Sequence, residues 1–152
     1  MRIFITGGTG FIGSHVVKGL LEKGHELICL THSRKIEKEG IEIVHGDITN
    51  KDSLKPMEGC DAVIANASIY MYNPPKDIKD RMYAINVGGT KNTLEMALEY
   101  DIPKVVFTSS LVALGDTSKM GVATEEDLSE HCGTFTSLYE KTKYDSHIIP
   151  KS

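Results

Sequence analysis

The chain has 152 residues, a length that accommodates one domain with a hydrophobic core. With 40% hydrophobic and 25% charged residues, its composition is that of an ordinary globular protein. The formal net charge of −4 argues against a nucleic-acid partner, and no apolar run approaches the roughly 20 residues that a membrane span needs.

The chain opens with an apolar run, residues 2–5, which we predict to be a buried strand. The glycine-rich stretch Thr6-Gly7-Gly8-Thr9-Gly10-Phe11-Ile12-Gly13 follows, and then a predicted helix over residues 14–23. A glycine-rich turn between a strand and a helix is where a dinucleotide pyrophosphate lies, because glycines permit the tight turn and the close approach of the phosphates. We therefore predict a cofactor site, with a flexible loop as the alternative; its residues are Gly7, Gly10, Phe11, Ile12 and Gly13.

Strand-like and helix-like segments alternate along the rest of the chain. Strands are predicted at residues 26–31, 41–45, 61–66 and 104–108, and helices at residues 51–57, 77–100 and 135–149. This alternation predicts an α/β fold, a doubly wound parallel sheet of the Rossmann-like type with helices on both faces. We expect one domain over residues 1–152, with a polar loop at residues 115–134 that could lie over a ligand.

In such a sheet, ligands lie beyond the carboxyl ends of the strands. The second strand ends in Thr31-His32-Ser33-Arg34, without the acidic residue that would bind the ribose 2′-hydroxyl of NAD. His32 and Arg34 could instead contact a 2′-phosphate, because a guanidinium suits bidentate phosphate contacts. The sequence therefore favours NADP, with NAD as the alternative cofactor. The other interpretation is a solvated loop whose basic residues touch nothing.

The spacing of the three cysteines and the first residues of the chain indicate the cellular compartment of the protein. Cys29, Cys60 and Cys132 form no CxxC pair, which favours reduced thiols and a cytoplasmic location. The chain begins directly in a predicted strand, so we expect no signal peptide. His131 beside Cys132 could suggest a metal, but no further ligands follow at workable spacing, and we predict no metal site.

The stretch TGGTGFIGSH closely resembles the extended short-chain dehydrogenase/reductase family, which includes sugar epimerases, dihydroflavonol reductases and 3β-hydroxysteroid dehydrogenases. The resemblance runs to about residue 149 and implies that Asp47 and Ile48, after the third strand, contact adenine. For Asp47, capping of the next helix is an almost equally good interpretation. Small residues after the fourth strand would let the backbone pass close to the cofactor; they are Ala65, Asn66 and Ala67, of which Asn66 departs from the family's common His-x-Ala-Ala.

Tyr139-x-x-x-Lys143 is the catalytic signature of that family. A spacing of four places both side chains on one helix face, and an ammonium close to a phenol favours the phenolate and lowers its pKa. The phenol can then exchange a proton with a substrate hydroxyl or carbonyl while hydride moves to or from nicotinamide. In the family the lysine also binds the nicotinamide ribose. The alternative is an exposed pair on a helix.

Further residues support or weaken this assignment. The same spacing occurs at Tyr72/Lys76 and Tyr100/Lys104, but prolines interrupt both segments. By the resemblance, Ser110 hydrogen-bonds the substrate oxygen, with Ser109 as the alternative one residue earlier; either hydroxyl could also cap local backbone. Asn86, in a further family motif, is expected to support the site rather than to act in it.

The resemblance implies an NAD(P)-dependent oxidoreductase or epimerase domain that acts on a small molecule, similar to dihydroflavonol reductases or nucleotide-sugar epimerases. It matches only the first half of such enzymes, so we expect a fragment without the substrate-binding domain, and a sheet edge left open beside the fifth strand. A non-catalytic cofactor-binding module is the alternative. Family members commonly pair through two helices, and we expect a homodimer through the segments near 78–100 and 135–149.

Overall fold

The computed structural model describes residues 1–32, 39–114 and 135–151; of residue 151 it describes only the backbone. Five strands form one sheet: β1 (Arg2–Thr6), β2 (Glu26–Thr31), β3 (Ile41–His45), β4 (Ala62–Ala65) and β5 (Val105–Phe107). All neighbours pair in parallel, in the order β3-β2-β1-β4-β5. The predicted doubly wound parallel sheet is confirmed, and the strand order reverses between β1 and β4, where such folds bind ligands.

The helices lie close to their predicted positions. They are α1 (Phe11–Glu22), a 3₁₀ helix (Lys51–Met57), α2 (Lys76–Tyr83), α3 (Thr90–Glu99), a 3₁₀ helix (Leu111–Leu114), α4 (Leu138–Ile148) and a last 3₁₀ turn (Ile149–Lys151). The single helix predicted over residues 77–100 is interrupted, because a π-helical segment, Ala84–Gly89, joins α2 to α3. Such wide turns frequently mark functional sites.

The sheet is buried on both faces at its centre. Ile3 and Ile5 of β1 pack with Val17 of α1 on one face, whereas Phe4 packs with Leu54 and other residues on the opposite face. Because strands covered on both sides cannot alternate with polar residues, β1 and β2 are apolar nearly throughout.

The edge strand β5 is more exposed than the strands at the centre of the sheet. Val105 and Val106 are 40% and 58% exposed, and among the described strands β5 pairs only with β4. The open sheet edge expected beside the fifth strand is therefore present in the described part of the chain. Within that same part, no helix combines the length and apolar character needed to cross a membrane.

Candidate active site

A cavity of about 640 Å³ lies at the carboxyl ends of the strands, and each of the five strands contributes at least the residue that follows it directly. This volume is within the usual range for small-molecule and cofactor sites. Most of the predicted site residues line the cavity: Gly7, Gly10, Phe11, Ile12, His32, Asp47, Ile48, Asn66, Ala67, Tyr139 and Lys143. The sheet thus brings residues from positions 7 to 143 to one surface.

The glycine turn leaves no room for side chains. Gly7 has a φ of +70°, and a Cβ there would lie 2.7 Å from the backbone of Ala67. A Cβ on Gly13 would lie 2.1 Å from the carbonyl oxygen of Gly7. Gly13 is buried and does not line the cavity; its role is to let α1 approach the turn. No side-chain hydrogen bond caps α1 at Gly10, and an uncapped helix start of this kind is able to bind an anion.

The first turn of α1 also exposes two apolar side chains to the cavity. Phe11 is 85% exposed and Ile12 is 56% exposed, although both line the cavity wall. Phe11 makes an edge contact with His15, at 5.5 Å between ring centroids. A bound molecule would cover this apolar surface, which is the arrangement that the sequence predicts for a cofactor.

One buried hydroxyl joins the ends of β1 and β4. Thr6 Oγ1 accepts hydrogen bonds from the backbone N–H groups of Asn66 and Ala67, each at 3.2 Å. Asn66 Nδ2 donates to the carbonyl oxygen of Gly7 at 3.3 Å. These bonds carry Asn66 and Ala67 to the cavity wall, whereas Ala65, also predicted, ends β4 in a buried position outside the lining.

Asp47 is held by the residues that follow it. Its Oδ1 accepts from the backbone N–H and the hydroxyl of Thr49, both at 2.8 Å, and the bond from this N–H is the main reason that the pKa of Asp47 lies below its ordinary value. The next helix is capped by Asn50, which accepts from the N–H of Asp52 at 3.0 Å. The interpretation of Asp47 as that helix cap is therefore wrong, and its carboxylate is left to face the cavity.

Basic side chains surround this end of the cavity. His32 Nε2 lies 4.0 Å from Asp47 Oδ2, and Arg81 of α2 lines the same cavity near enough to lower the pKa of Asp47 further. Ile48 lines the cavity although only 8% of it is exposed. The predicted Arg34 lies outside the described residues, as do His131, Cys132 and the loop at 115–134.

The opposite end of the cavity carries the Tyr/Lys pair. Tyr139 and Lys143 lie on α4, which Ser137 caps by accepting from the N–H of Glu140 at 3.1 Å. Lys143 is only 4% exposed, and its Nζ donates to the carbonyl oxygen of Thr108 at 2.8 Å. Burial lowers the pKa of Lys143. The competing Tyr72 and Tyr100 pairs have no such placement, since neither pair lies within one helix.

Of the two candidate serines, Ser109 lines the cavity and Ser110 does not. Ser109 Oγ lies 2.7 Å from Nδ1 of His147, one helical turn beyond Lys143. The carbonyl oxygen of Ser110 accepts from the N–H of Ala113 and begins the short 3₁₀ helix after β5. The alternative that the sequence left open by one residue is thus the one placed at the cavity.

Asn86 connects the elements around the Tyr/Lys pair. Its side chain is 2% exposed and makes four hydrogen bonds. Oδ1 accepts from the N–H of Ile69 at 2.7 Å and from the hydroxyl of Ser68 at 3.1 Å; Nδ2 donates to the carbonyl oxygen of Ile69 and to Thr142 Oγ1, each at 2.9 Å. Because Thr142 lies beside Lys143, the π-helical segment fixes α4 against the loop that follows β4.

A second set of contacts ties α4 to α2. The hydroxyl of Tyr83 donates to Asp145 Oδ2 at 2.9 Å, and this bond raises the pKa of Tyr83. Lys141 Nζ donates to the same carboxylate oxygen at 2.6 Å. The orientation of the helix that carries the Tyr/Lys pair is therefore set from two sides.

Three residues in or beside the cavity were not predicted from the sequence. Tyr70 lines the cavity and meets Tyr139 edge-on, with ring centroids 4.8 Å apart and an interplanar angle of 87°. Arg81 and His147 have no motif around them. The only sequence signal for Tyr70 is that it follows Asn66 by four residues. Arg81 and His147 carry no sequence signal and come to the site only in the folded chain.

The sequence of the chain matches a family model and several curated relatives. The model of the "NAD dependent epimerase/dehydratase family" matches residues 3–150. A putative dihydroflavonol 4-reductase from Synechocystis is 32% identical over 93% of this chain and 41% of its own length. A putative UDP-glucose 4-epimerase from Methanocaldococcus jannaschii is 38% identical over 71% of this chain and 37% of its own length.

Among solved structures, a short-chain dehydrogenase/reductase superfamily protein from Agrobacterium tumefaciens with bound NAD is 27% identical, with a TM-score of 0.82. The alignment covers 99% of this chain and 44% of that one. The chain thus spans roughly two fifths of the length of the curated relatives that it matches.

Proposed function

The chain belongs to the NAD-dependent epimerase/dehydratase family, and from this premise we propose that it is an NADP-dependent oxidoreductase or epimerase domain. The observation that carries the proposal is that Tyr139 and Lys143 line the same cavity as the glycine turn. One cavity therefore joins a phosphate-binding turn to a phenol and an amine. This combination suits hydride transfer between a nicotinamide and a hydroxyl or carbonyl carbon of a small molecule.

The residues present fit a dinucleotide. The backbone of Gly7 and Gly10 would approach the pyrophosphate, and the uncapped start of α1 would face its charge. Asp47 would accept from the adenine amine, and Ile48 would pack against the ring. Family members bind NAD or NADP. We propose NADP here, because β2 ends at Thr31 and is followed by His32, so neither position carries a carboxylate that would repel a 2′-phosphate.

The dinucleotide supplies the hydride acceptor or donor, and the chain supplies the proton chemistry. Tyr139 would give its phenolic proton to a carbonyl oxygen during reduction, or take a hydroxyl proton during oxidation. Lys143 would stabilise the phenolate that reduction leaves behind. Its ammonium is held by the carbonyl oxygen of Thr108 at 2.8 Å, so its position does not depend on a ligand.

A Tyr139→Phe variant tests the proton role, since it removes one hydroxyl and keeps the ring. We expect wild-type protein to oxidise NADPH with aldehydes, ketones or nucleotide sugars, and the Tyr139→Phe variant to lose at least about 100-fold in kcat. Tyr144→Phe is the matched control, because Tyr144 lies on the same helix away from the cavity lining. Turnover unaffected by Tyr139→Phe would exclude the mechanism.

Cofactor choice is tested by titrating NADPH and NADH and following fluorescence. We expect NADPH to bind more tightly, and Arg34→Ala and His32→Ala each to weaken NADPH with little effect on NADH. Tighter binding of NADH by the wild type would assign the cofactor as NAD, and unchanged binding in the variants would show that His32 and Arg34 do not contact a 2′-phosphate.

A non-catalytic cofactor-binding module is the second candidate function. The chain spans about two fifths of the length of the relatives that it matches, so their activity comes to it only as a proposal. A module of this kind would bind NADPH with ordinary affinity and oxidise it with none of the substrates tried. Binding without turnover therefore separates the two candidates.

We also propose a homodimer in the cytoplasm. α4 lies against α2 and the π-helical segment in one copy, joined by the bonds from Tyr83 to Asp145 and from Asn86 to Thr142, and a twofold axis would assemble these helices with those of a second copy. A light-scattering mass of about twice 16.7 kDa is expected for this chain. A single-copy mass at micromolar concentration would contradict it.

A further inference from the structure

Tyr70 is a large aromatic side chain in the wall of the cavity, beside the Tyr/Lys pair. Its ring meets Tyr139 edge-on, with centroids 4.8 Å apart and an interplanar angle of 87°. The residue is nevertheless 70% exposed, so most of the ring surface is left open. An open aromatic face in the wall of a cavity is a surface that a bound molecule can cover.

The backbone beside Tyr70 is held in place by Asn86. Oδ1 of Asn86 accepts from the N–H of Ile69 at 2.7 Å, and Nδ2 donates to the carbonyl oxygen of the same residue at 2.9 Å. The same side chain bonds Thr142 of α4, the helix that carries Tyr139. One buried amide therefore joins the segment of Tyr70 to the helix of Tyr139, and a platform fixed in this way loses little freedom when a ligand covers it.

Charged side chains are unevenly divided between the two ends of the cavity. Among the described residues that line it, His32 and Arg81 lie close to Asp47, at the end proposed for adenine. The remaining charged residue of that set, Lys143, is buried, and its ammonium already donates to a backbone carbonyl oxygen at 2.8 Å. In the described part of this end, a substrate thus meets an aromatic ring and no accessible cation that would bind a diphosphate.

We propose that Tyr70 is a specificity-determining residue: the open face of its ring is the platform on which a flat, uncharged ring attached to the substrate carbonyl group stacks. The assignment rests on the proposed function for the presence of that carbonyl group. Because the two tyrosine rings are perpendicular, a ring stacked on Tyr70 also stands perpendicular to the ring of Tyr139. Stacking of two rings strengthens binding by about 2- to 10-fold beyond the burial of their area.

Two aldehydes with the same number of carbon atoms test the platform. Benzaldehyde carries a flat ring and cyclohexanecarbaldehyde a puckered one, and kcat/KM is measured for each with NADPH. We expect Tyr70→Leu to lower kcat/KM by about 5- to 10-fold for benzaldehyde and by less than about twofold for cyclohexanecarbaldehyde. Tyr70→Phe, which keeps the ring, should behave as the wild type. Equal losses for the two aldehydes in Tyr70→Leu would overturn the proposal, since they would show that the ring acts only through Tyr139.

Tyr72→Leu is the matched control. Tyr72 is 80% exposed, lies two residues further along the chain and does not line the cavity. Its variant should keep the wild-type ratio of the two kcat/KM values, and loss of that ratio would contradict the assignment to Tyr70. The dissociation constant of NADPH should stay within about twofold in Tyr70→Leu. A larger weakening would assign the ring to the nicotinamide and overturn the proposal.

A binding measurement separates failure of this proposal from failure of the proposed function. Saturation-transfer NMR follows the ring protons of benzyl alcohol in the presence of protein and NADP⁺. We expect saturation by the wild type and by Tyr70→Phe, and a signal about threefold weaker with Tyr70→Leu. No signal with the wild type, or an unchanged signal with Tyr70→Leu, would overturn the proposal. If the wild type reduces neither aldehyde, the proposed function fails, and this spectrum alone decides whether Tyr70 is the platform.

Discussion

The two ends of the cavity are built in different ways. The glycine turn at Thr6–Gly13 is made of backbone from one short stretch. Its shape requires glycine at positions 7 and 13, because a Cβ atom at either position would clash with backbone. The end that holds Tyr139 and Lys143 is made of side chains from the π-helical segment and α4 and of backbone that follows β4 and β5, joined by hydrogen bonds over 17 to 56 positions. A local turn is sensitive to added volume, whereas an assembled site is sensitive to lost polar partners.

The largest effect is expected from Gly13→Ala, which tests the volume limit at the turn. The added Cβ would meet the carbonyl oxygen of Gly7, which is backbone and cannot move aside. We expect about 3 kcal/mol of destabilisation in urea and loss of NADPH binding. Gly19→Ala is the control in the same helix, where a Cβ meets nothing within 4 Å; it should stabilise by about 0.5–1 kcal/mol. Similar behaviour of the two variants would show that close packing does not shape the turn.

Asn86→Ala tests the assembled end, with a somewhat smaller expected effect. The variant leaves the partly buried N–H and carbonyl groups of Ile69 without their partner, which costs about 2 kcal/mol. Urea midpoints measure this loss, and kcat should fall with it because α4 loses its bond through Thr142. Asn92→Ala, which removes bonds to the carbonyls of Ile48 and Thr49 nearer the other end, should cost about 1 kcal/mol. An equal cost for both would remove the contrast between the ends.

The smallest effect is a pH dependence that differs between two lysines of α4. Burial holds the pKa of folded Lys143 below its ordinary 10.5, so the charge opposes folding at neutral pH, and this cost is relieved as the pH rises from the folded pKa toward 10.5. The bond to Asp145 raises the pKa of Lys141, so its contribution is present below 10.5 and is lost as the pH rises through the folded pKa.

Urea unfolding of Lys143→Met and Lys141→Met between pH 7 and 11 measures both signs. Relative to each variant, the wild type should gain stability with pH at position 143 and lose it at position 141. The change at Lys141 should be slight, because its side chain is 43% exposed and solvent screens the pair. Parallel curves of stability against pH for the two variants would mean that burial does not set the pKa of Lys143.

The strands, the glycine turn and the Tyr/Lys spacing were open to prediction because the sequence signal of each lies within about a dozen residues. Apolar runs define β1, β2 and β4, and the glycine pattern fills one short stretch, although Gly7 also lies against Asn66 and Ala67. The π-helical segment between α2 and α3 had no such signal, since its four side-chain bonds from Asn86 reach Ser68, Ile69 and Thr142.

By itself, the sequence determined a parallel α/β sheet, a glycine-rich turn between its first strand and first helix, and one helix with a phenol and an amine on the same face. Only the tertiary structure placed Ser109 rather than Ser110 at the cavity wall, showed that Asn50 and not Asp47 caps the next helix, and brought Tyr70, Arg81 and His147 to or beside the cavity. The physical reason is distance along the chain. Periodicity and glycine chemistry act between neighbours, whereas these side chains meet across the sheet, where packing of the complete core sets which oxygen or nitrogen faces the cavity.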